Sequence, residues 1–342
     1  MNNRTVEREK DKEIPLYVNP EQTENTRHKK EKTSILSKVK KWFNPMVAIL
    51  LAVILVLTCT VCVMSGKLNE RKEIHRAIYD KSQKVQLAGN SDRIPLTEYG
   101  LGDIAIPAIE GVPVCTYKDE NFRTDSNGYK YYYEDGELCS YVGIDVSGHN
   151  GYIDWQAVKA SGVDFAMLRI GGRGYGEAGS LYDDTYFRDN LRGAKNAGLW
   201  VGAYFFSQAI TPQEAEEEAK YAISLLRGES LDFPLAFDWE VLETKEGART
   251  DNISPDTLTQ CARAFCDTVK KSGYTPALYT GSQLAYYKYD LGALSDIDIW
   301  YAFYNDTPAL YYNYTMWQYS CTGQVPGIQG DVDLNICFKN YK

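Results

Sequence analysis

Short apolar runs recur along the chain from Tyr141 onward: YVGIDV, VDFAMLRI, LWVGAYFF, FPLAFDWE, YTPALYT, IDIWYAFY, TMWQYS and DVDLN. Their length and their content of β-branched and aromatic residues mark them as buried strands. Helical patterns separate the earlier runs and carry clear start and stop signals. Thr211-Pro212-Gln213-Glu214 is a capping box with proline at the first helical position and Gly228 beyond the end. Ser254-Pro255 and Gly273 bracket the next helix, and Asp154 with Gly162 and Asp184 with Gly198 frame two earlier ones. Strands alternating with helices predict an α/β fold, an irregular TIM-like β/α barrel of eight strands over residues 141–342, with its later crossovers shortened.

The pattern upstream is different. Residues 46–64 read MVAILLAVILVLTCTVCVM, and no charge falls between Trp42 and Gly66. That length of uncharged apolar sequence predicts a single transmembrane helix over 46–66, reaching the lipid bilayer. A polar tail of 45 residues precedes it and no small-residue cleavage pattern follows, so it reads as an uncleaved signal anchor rather than a signal peptide. Residues 1–45 are expected to be a disordered tail, and 67–110 a stalk and linker that opens with a short amphipathic helix. Residues 111–140 carry Asn127-Gly128 and Asp135-Gly136 turn signals around a run of tyrosines, which predicts a small β-hairpin segment. Its tyrosines Tyr129, Tyr131, Tyr132 and Tyr133 are expected to brace the barrel more than to stack on a ligand.

Composition narrows the function. The chain has 342 residues, 44 % of them hydrophobic, and a net charge of −9. It buries a sizeable core, and its basic excess is confined to the first 66 residues, which excludes a large phosphate-tracking surface and hence nucleic acid as partner. The three histidines, His28, His75 and His149, are scattered, and no CxxC pair recurs, so neither a metal nor a cofactor is expected. Six cysteines lie outside the apolar segment. Cys115 with Cys139 and Cys321 with Cys337 are expected as local disulfides, and Cys261 and Cys266 as buried thiols.

In a β/α barrel the chemistry sits at the C-terminal ends of the strands. Asp145 ends YVGIDV, Asp238 and Glu240 end FPLAFDWE, and Asp333 lies in the last run. Because a strand alternates its faces, Asp238 and Glu240 point the same way while Trp239 points into the helix layer. Two close carboxylates at a barrel mouth repel each other and lose hydration, so one keeps its proton to higher pH and becomes a proton donor. Cleavage of a glycosidic bond needs such an acid beside a second negative group. Taken singly each acid reads as structural: Asp145 as a loop cap, Asp333 as a backbone acceptor, Asp238 as an ion pair with Arg169.

Six blocks in order carry a resemblance: Tyr141 to Trp155 (YVGIDVSGHNGYIDW), Phe165 to Tyr175 (FAMLRIGGRGY), Gly202 to Phe206 (GAYFF), Asp238 to Glu240 (DWE), Trp317 to Tyr319 (WQY) and Val332 to Asn335 (VDLN). Together they resemble glycoside hydrolase family 25, the N-acetylmuramidases, from about Tyr141 to the C-terminus. The resemblance implies cleavage of the β-1,4 bond between N-acetylmuramic acid and N-acetylglucosamine in peptidoglycan, with retention and without a cofactor. It implies Glu240 as general acid and later base, and Asp238 as the group that orients the 2-acetamido as it attacks the anomeric carbon. Asp145 and Asp333 fall at further active-site acids. Tyr204 matches a groove tyrosine, while Tyr279, Trp300 and Trp317 end or line later strands and are expected as stacking walls, with burial in the core the alternative for each. The family often has histidine where Phe205 stands, a position that alternates away from Tyr204. Peptidoglycan lies outside the membrane, so the resemblance also implies an extracytoplasmic residue 67–342 region and a cytoplasmic N-terminus. A catalytically silent wall-binding module and a chitinase-like enzyme remain the competing readings.

Overall fold

The computed structural model describes residues 93–98, 102–242 and 247–342. The expected tail, the membrane span at 46–66 and the amphipathic start of the stalk lie outside the described residues. Among the described residues no helix is long and apolar enough to cross a membrane.

The described chain opens with an antiparallel hairpin, β1 (Arg93–Glu98) and β2 (Gly102–Pro107). A three-stranded antiparallel sheet follows: β3 (Phe122–Thr124), β4 (Lys130–Glu134) and β5 (Glu137–Leu138). The barrel then runs β6 (Tyr141–Val146), α1 (Trp155–Ala160), β7 (Phe165–Arg173), β8 (Leu181–Asp183), α2 (Phe187–Asn196), β9 (Trp200–Ser207), α3 (Pro212–Leu226) and β10 (Leu235–Trp239). It is completed by α4 (Pro255–Lys271), β11 (Pro276–Gly281), α5 (Ser282–Tyr287), β12 (Asp298–Ala302), β13 (Met316–Gly323) and β14 (Val332–Cys337). The sheet order is β6-β14-β13-β12-β11-β10-β9-β7-β8, and β6 also pairs with β7, which closes eight strands into a barrel. The eight are the eight apolar runs read from the sequence. β8 is an added strand, antiparallel to the end of β7.

The helix signals act as their chemistry requires. The Asp154 carboxylate accepts from the Gln156 and Ala157 amides, Thr211 Oγ1 from the Glu214 amide and Ser254 Oγ from the Thr257 amide. Asp184 stands two residues before the Tyr186 cap and accepts from its amide. Ala215, Ala219, Ala222 and Leu226 of α3, and Leu258, Cys261, Phe265 and Val269 of α4, fall at three- and four-residue spacing and are buried in the layer between helices and sheet.

Strand alternation separates two cores. Phe165, Met167, Ala236, Ala277, Tyr279, Trp300, Met316 and Cys337 fill the barrel interior, while Val142, Ile144, Leu168, Phe205, Phe237, Trp239 and Trp317 face outward. The interior is tight. Phe165 stacks on Phe233 at 4.4 Å, and a Cβ on Gly143 of β6 would lie 2.1 Å from the Phe165 ring. Glycine at that inward position is what lets the ring cross the barrel floor.

The last strand runs backwards. β14 is antiparallel to both β13 and β6, so β13 and β14 are joined by a hairpin and not by a crossover helix. Among the described residues no helix lies over this quadrant, and the β3–β5 sheet covers it instead. Phe122 meets Trp317 edge-on at 5.5 Å, Tyr132 meets Phe338 at 5.6 Å, and Tyr117 stacks on Phe338 at 4.1 Å. Tyr129 and Tyr132 are buried, in keeping with a bracing role. The segment is a three-stranded meander, because both turn signals act, at Gly128 and at Asp135-Gly136 with positive φ. The preceding hairpin is attached as well: Ile104 and Ile106 are buried, and the Tyr312 hydroxyl donates to the Pro107 carbonyl and accepts from the Ile109 amide.

The cysteine pairing differs from expectation. All six described cysteines are free thiols. Cys337 faces Met316 across β13 and β14, whereas Cys321 stands five residues further along β13, roughly 16 Å away at strand rise and far beyond disulfide reach. Cys115 and Cys139 are likewise unpaired, and Cys261 and Cys266 are buried thiols.

Candidate active site

The C-terminal ends of β6, β10 and β11 and the beginning of β14 open onto one mouth. Alternation along β6 turns Tyr141, Gly143 and Asp145 inward, and along β14 it turns Asp333, Asn335 and Cys337 inward. Because β14 is reversed, its start lies at the mouth, and Asp333 pairs in register with Asp145. On β10, Ala236 and Asp238 face in and Trp239 faces out, where its indole donates to the Ala209 carbonyl at 3.3 Å. Glu240 follows at the rim, and its carbonyl accepts from the buried Gln208 side chain.

A hydrogen-bonded floor fixes Asp145. Its Oδ2 accepts from Gln318 Nε2 at 2.7 Å and from Asn335 Nδ2 at 2.8 Å. Gln318 Oε1 in turn accepts from the hydroxyls of Tyr279 (2.8 Å) and Tyr304 (2.9 Å), and Asn335 Oδ1 accepts from the Trp300 indole at 2.8 Å. Those donors fix which way each amide points, so Asp145 is held by a network with no rotational freedom. Tyr204 and Tyr279 meet Trp300 edge-on at 5.9 and 4.9 Å beneath the acids. Asp238 is different: its Oδ1 is buried and has no hydrogen-bond partner among the described residues.

Burial governs the electrostatics. It pushes the Asp145 carboxyl well above its ordinary range; the neighbouring Asp333 raises it further, and Asn335 and Gln318 oppose the shift. Asp238 is raised well above the ordinary range by burial, then by the charges of Glu240 and Asp145, with Arg169 acting against them. Glu240 is raised by burial and by Asp333, against which the Tyr279 hydroxyl acts. Asp333 is raised by burial, which its hydrogen bond with Asp145 partly offsets. A group of acids this dry retains protons that free carboxylic acids lose, and so is able to act as a proton donor at mild pH. Around the mouth, the loops after β6, β7 and β12 expose Tyr152, Tyr175 and Tyr304, flat surfaces suited to sugar rings.

Seven of the eight residues singled out from the sequence, Asp145, Asp238, Glu240, Asp333, Tyr204, Tyr279 and Trp300, are gathered at this mouth or directly below it. Trp300 is buried and forms the floor, not a stacking wall. Trp317 is elsewhere. On β13, Met316 and Gln318 face inward, so Trp317 faces out, fully buried against Phe122 and Tyr319, with its indole donating to the Phe303 carbonyl. Its expected place in the groove is corrected to a bracing one. The Asp238–Arg169 ion pair is replaced by Arg169 Nε to Asp184 Oδ2 at 2.8 Å, and Asp184 also accepts from the Gly148 amide. Sequence reading missed Gln318, Asn335 and Tyr304 as site residues, and gave Arg169 and Asp184 other roles. A buried-strand glutamine between two aromatics, and the asparagine of VDLN, were the available signals for the first two.

The profile of glycosyl hydrolases family 25 matches residues 144–328. The chain belongs to that family. Among curated family relatives it is 33 % identical to an autolytic lysozyme of Clostridium acetobutylicum over 195 residues, covering 56 % of this chain and 54 % of that one. It is 30 % identical to lysozyme M1 of Streptomyces globisporus over 206 residues, covering 56 % and 66 %. The chain thus spans between half and two thirds of the length of these relatives. Among solved structures it resembles the modular autolysin LytC of Streptococcus pneumoniae, with a TM-score of 0.53 at 24 % identity over 69 % of this chain and 59 % of that one. It also resembles the spore cortex lytic enzyme SleM of Clostridium perfringens, with a TM-score of 0.51 at 24 % identity over 60 % and 69 %. At that identity the two structures speak for the family fold alone.

Proposed function

We propose that this family 25 domain hydrolyses the β-1,4 bond between N-acetylmuramic acid and N-acetylglucosamine in peptidoglycan, with retention. The observation that carries the reading is the convergence of Asp238 and Glu240 on one desolvated, tyrosine-rimmed mouth in a chain two of whose curated relatives are named lysozymes. Glu240 is the more solvent-accessible of the two and holds its proton, so it protonates the leaving oxygen and later takes a proton from water. Asp238 offers a buried oxygen with no donor among the described residues, and the substrate's acetamido N–H supplies that donor. The bond favours the ionised Asp238 and turns the acetamido carbonyl toward the anomeric carbon. Asp145 and Asp333 keep the site acidic, and Tyr204 with Tyr279 bounds the reacting sugar from below.

The test is release of reducing ends from purified peptidoglycan by the full chain and by Glu240→Gln. The reading expects a loss of roughly 10²–10⁴-fold in the variant. Equal, negligible release by both would leave a wall-binding module, and cleavage of chitin in preference to peptidoglycan a chitinase-like enzyme.

The domain acts outside the membrane, held by a helix over 46–66 with residues 1–45 in the cytoplasm. Of the expected stalk and linker at 67–110, residues 102–110 adjoin the barrel region, which leaves residues 67–92 as the proposed tether, at most about 90 Å if fully extended. Confinement to that depth suits local wall remodelling. Fractionation that recovers the protein from the medium, free of membrane, would refute the anchor.

A further inference from the structure

A second concavity of about 640 Å³ opens beside the mouth, between the β3–β4 turn and the ends of β12 and β13. One wall is Thr124, Asn127 and Lys130; the other is Tyr304, Tyr319 and Thr322. Tyr304 belongs to both spaces, since its hydroxyl reaches Gln318 above Asp145 while its ring borders the cleft. The wall from Thr124 to Lys130 lies outside residues 144–328, which the family profile matches.

Lys130 is the one cation among the described residues that line the cleft. Its side chain is 8 % exposed, and Nζ donates to the Asp306 carbonyl at 2.9 Å and to Thr124 Oγ1 at 3.5 Å. The ammonium stands 5.7 and 5.6 Å from the Trp317 and Tyr319 rings. Its only carboxylate among the described residues is Asp306 at 3.8 Å, and that side chain is fully exposed at the rim. A desolvated cation with a loose, solvated counterion exchanges that partner for an incoming carboxylate at little desolvation cost.

We propose that this cleft is a subsite for the peptide stem that branches from muramic acid, with a stem carboxylate on Lys130 and stem amides on the hydroxyl and amide groups of the walls. The proposal rests on the muramidase reading. A peptidoglycan sugar carrying a stem has its lactyl carboxyl tied up as an amide, so the charge that Lys130 recognises lies on the peptide and not on the glycan.

Calorimetry on the full chain tests this with two uncleavable ligands: the disaccharide N-acetylglucosaminyl-N-acetylmuramic acid bearing its stem peptide, and the same disaccharide without it. The stem-bearing ligand is expected to bind about tenfold tighter, the range of a hydrogen bond to a charged group. That advantage vanishes in Lys130→Met and in Thr322→Trp, which fills the cleft from an exposed position without touching the core. Equal affinity of the two ligands for the unaltered chain overturns the proposal. So does equal loss for both ligands in Thr322→Trp, which would make the cleft a sugar site. Hydrolysis of purified peptidoglycan decides the muramidase reading separately: a chain that prefers the stem-bearing ligand yet cleaves nothing keeps the subsite and loses the activity.

Discussion

Glu218 on α3 makes a demanding test of how burial governs this molecule. It has no exposed surface, and it accepts from Arg173 Nε at 2.7 Å and from Ser207 Oγ at 2.5 Å. Burial nevertheless outweighs both bonds and the guanidinium charge, and pushes its carboxyl up to about 7 from 4.5. Below pH 4.5 the folded and unfolded chains both hold the proton. Between 4.5 and 7 only the folded chain does, so stability falls with rising pH across that window and levels off above it. At 1.36 kcal/mol per unit, the stabilisation lost is about 3 kcal/mol, which corresponds to roughly 2–4 °C per kcal/mol in a domain of this size. Glu218→Gln keeps an acceptor for Arg173 and a partner for Ser207 but does not titrate. Urea and thermal unfolding of both proteins from pH 4 to 8 should show the wild type losing that much more stability than the variant between pH 4.5 and 7. Parallel curves across the window would refute the reasoning, because the other raised acids are common to both proteins.

Two further outcomes follow from the site. Asp333 raises Glu240, so Asp333→Asn should lower the Glu240 pKa and move the alkaline limb of the pH–rate profile for peptidoglycan cleavage toward acid; a limb that stays in place or moves the other way would contradict the coupling. Trp317→Ala should cost about 3–5 kcal/mol of stability without changing glycan affinity, whereas Tyr304→Ala should weaken glycan binding with little loss of stability. Melting curves and glycan titrations on the two variants separate bracing from binding.

The barrel was legible because each of its eight strands is a short, mainly apolar run and each early helix is punctuated by a side chain with a mechanical task, such as Thr211 or Ser254. The acids were legible because the ends of such runs are where a barrel displays polar groups. What failed was facing. A barrel strand is buried on both sides, so the MWQYS run looks the same whichever side faces in, and Trp317 was given the wrong one. Gln318 escaped for the same reason: its neighbours' apolarity hid that it points at Asp145. The cysteine staples failed on register. Spacing along the chain says nothing of a reversed strand that sets Cys337 opposite Met316. Arg169 was read as an ion-pair partner of Asp238, but it bonds Asp184, the residue that follows the added strand β8.

The reversal of β14 also dictates when the site comes into being. Asp145 and Asp333 are adjacent in register yet separated by most of the domain's length, and β6 finds both its neighbours only when β14 docks between it and β13. Closure of so long a loop comes late in folding. A nascent chain that has not yet released residues 332–337 from the ribosome lacks Asp333, Asn335 and the strand that carries them. The acid group therefore assembles only once β14 is free to join the barrel.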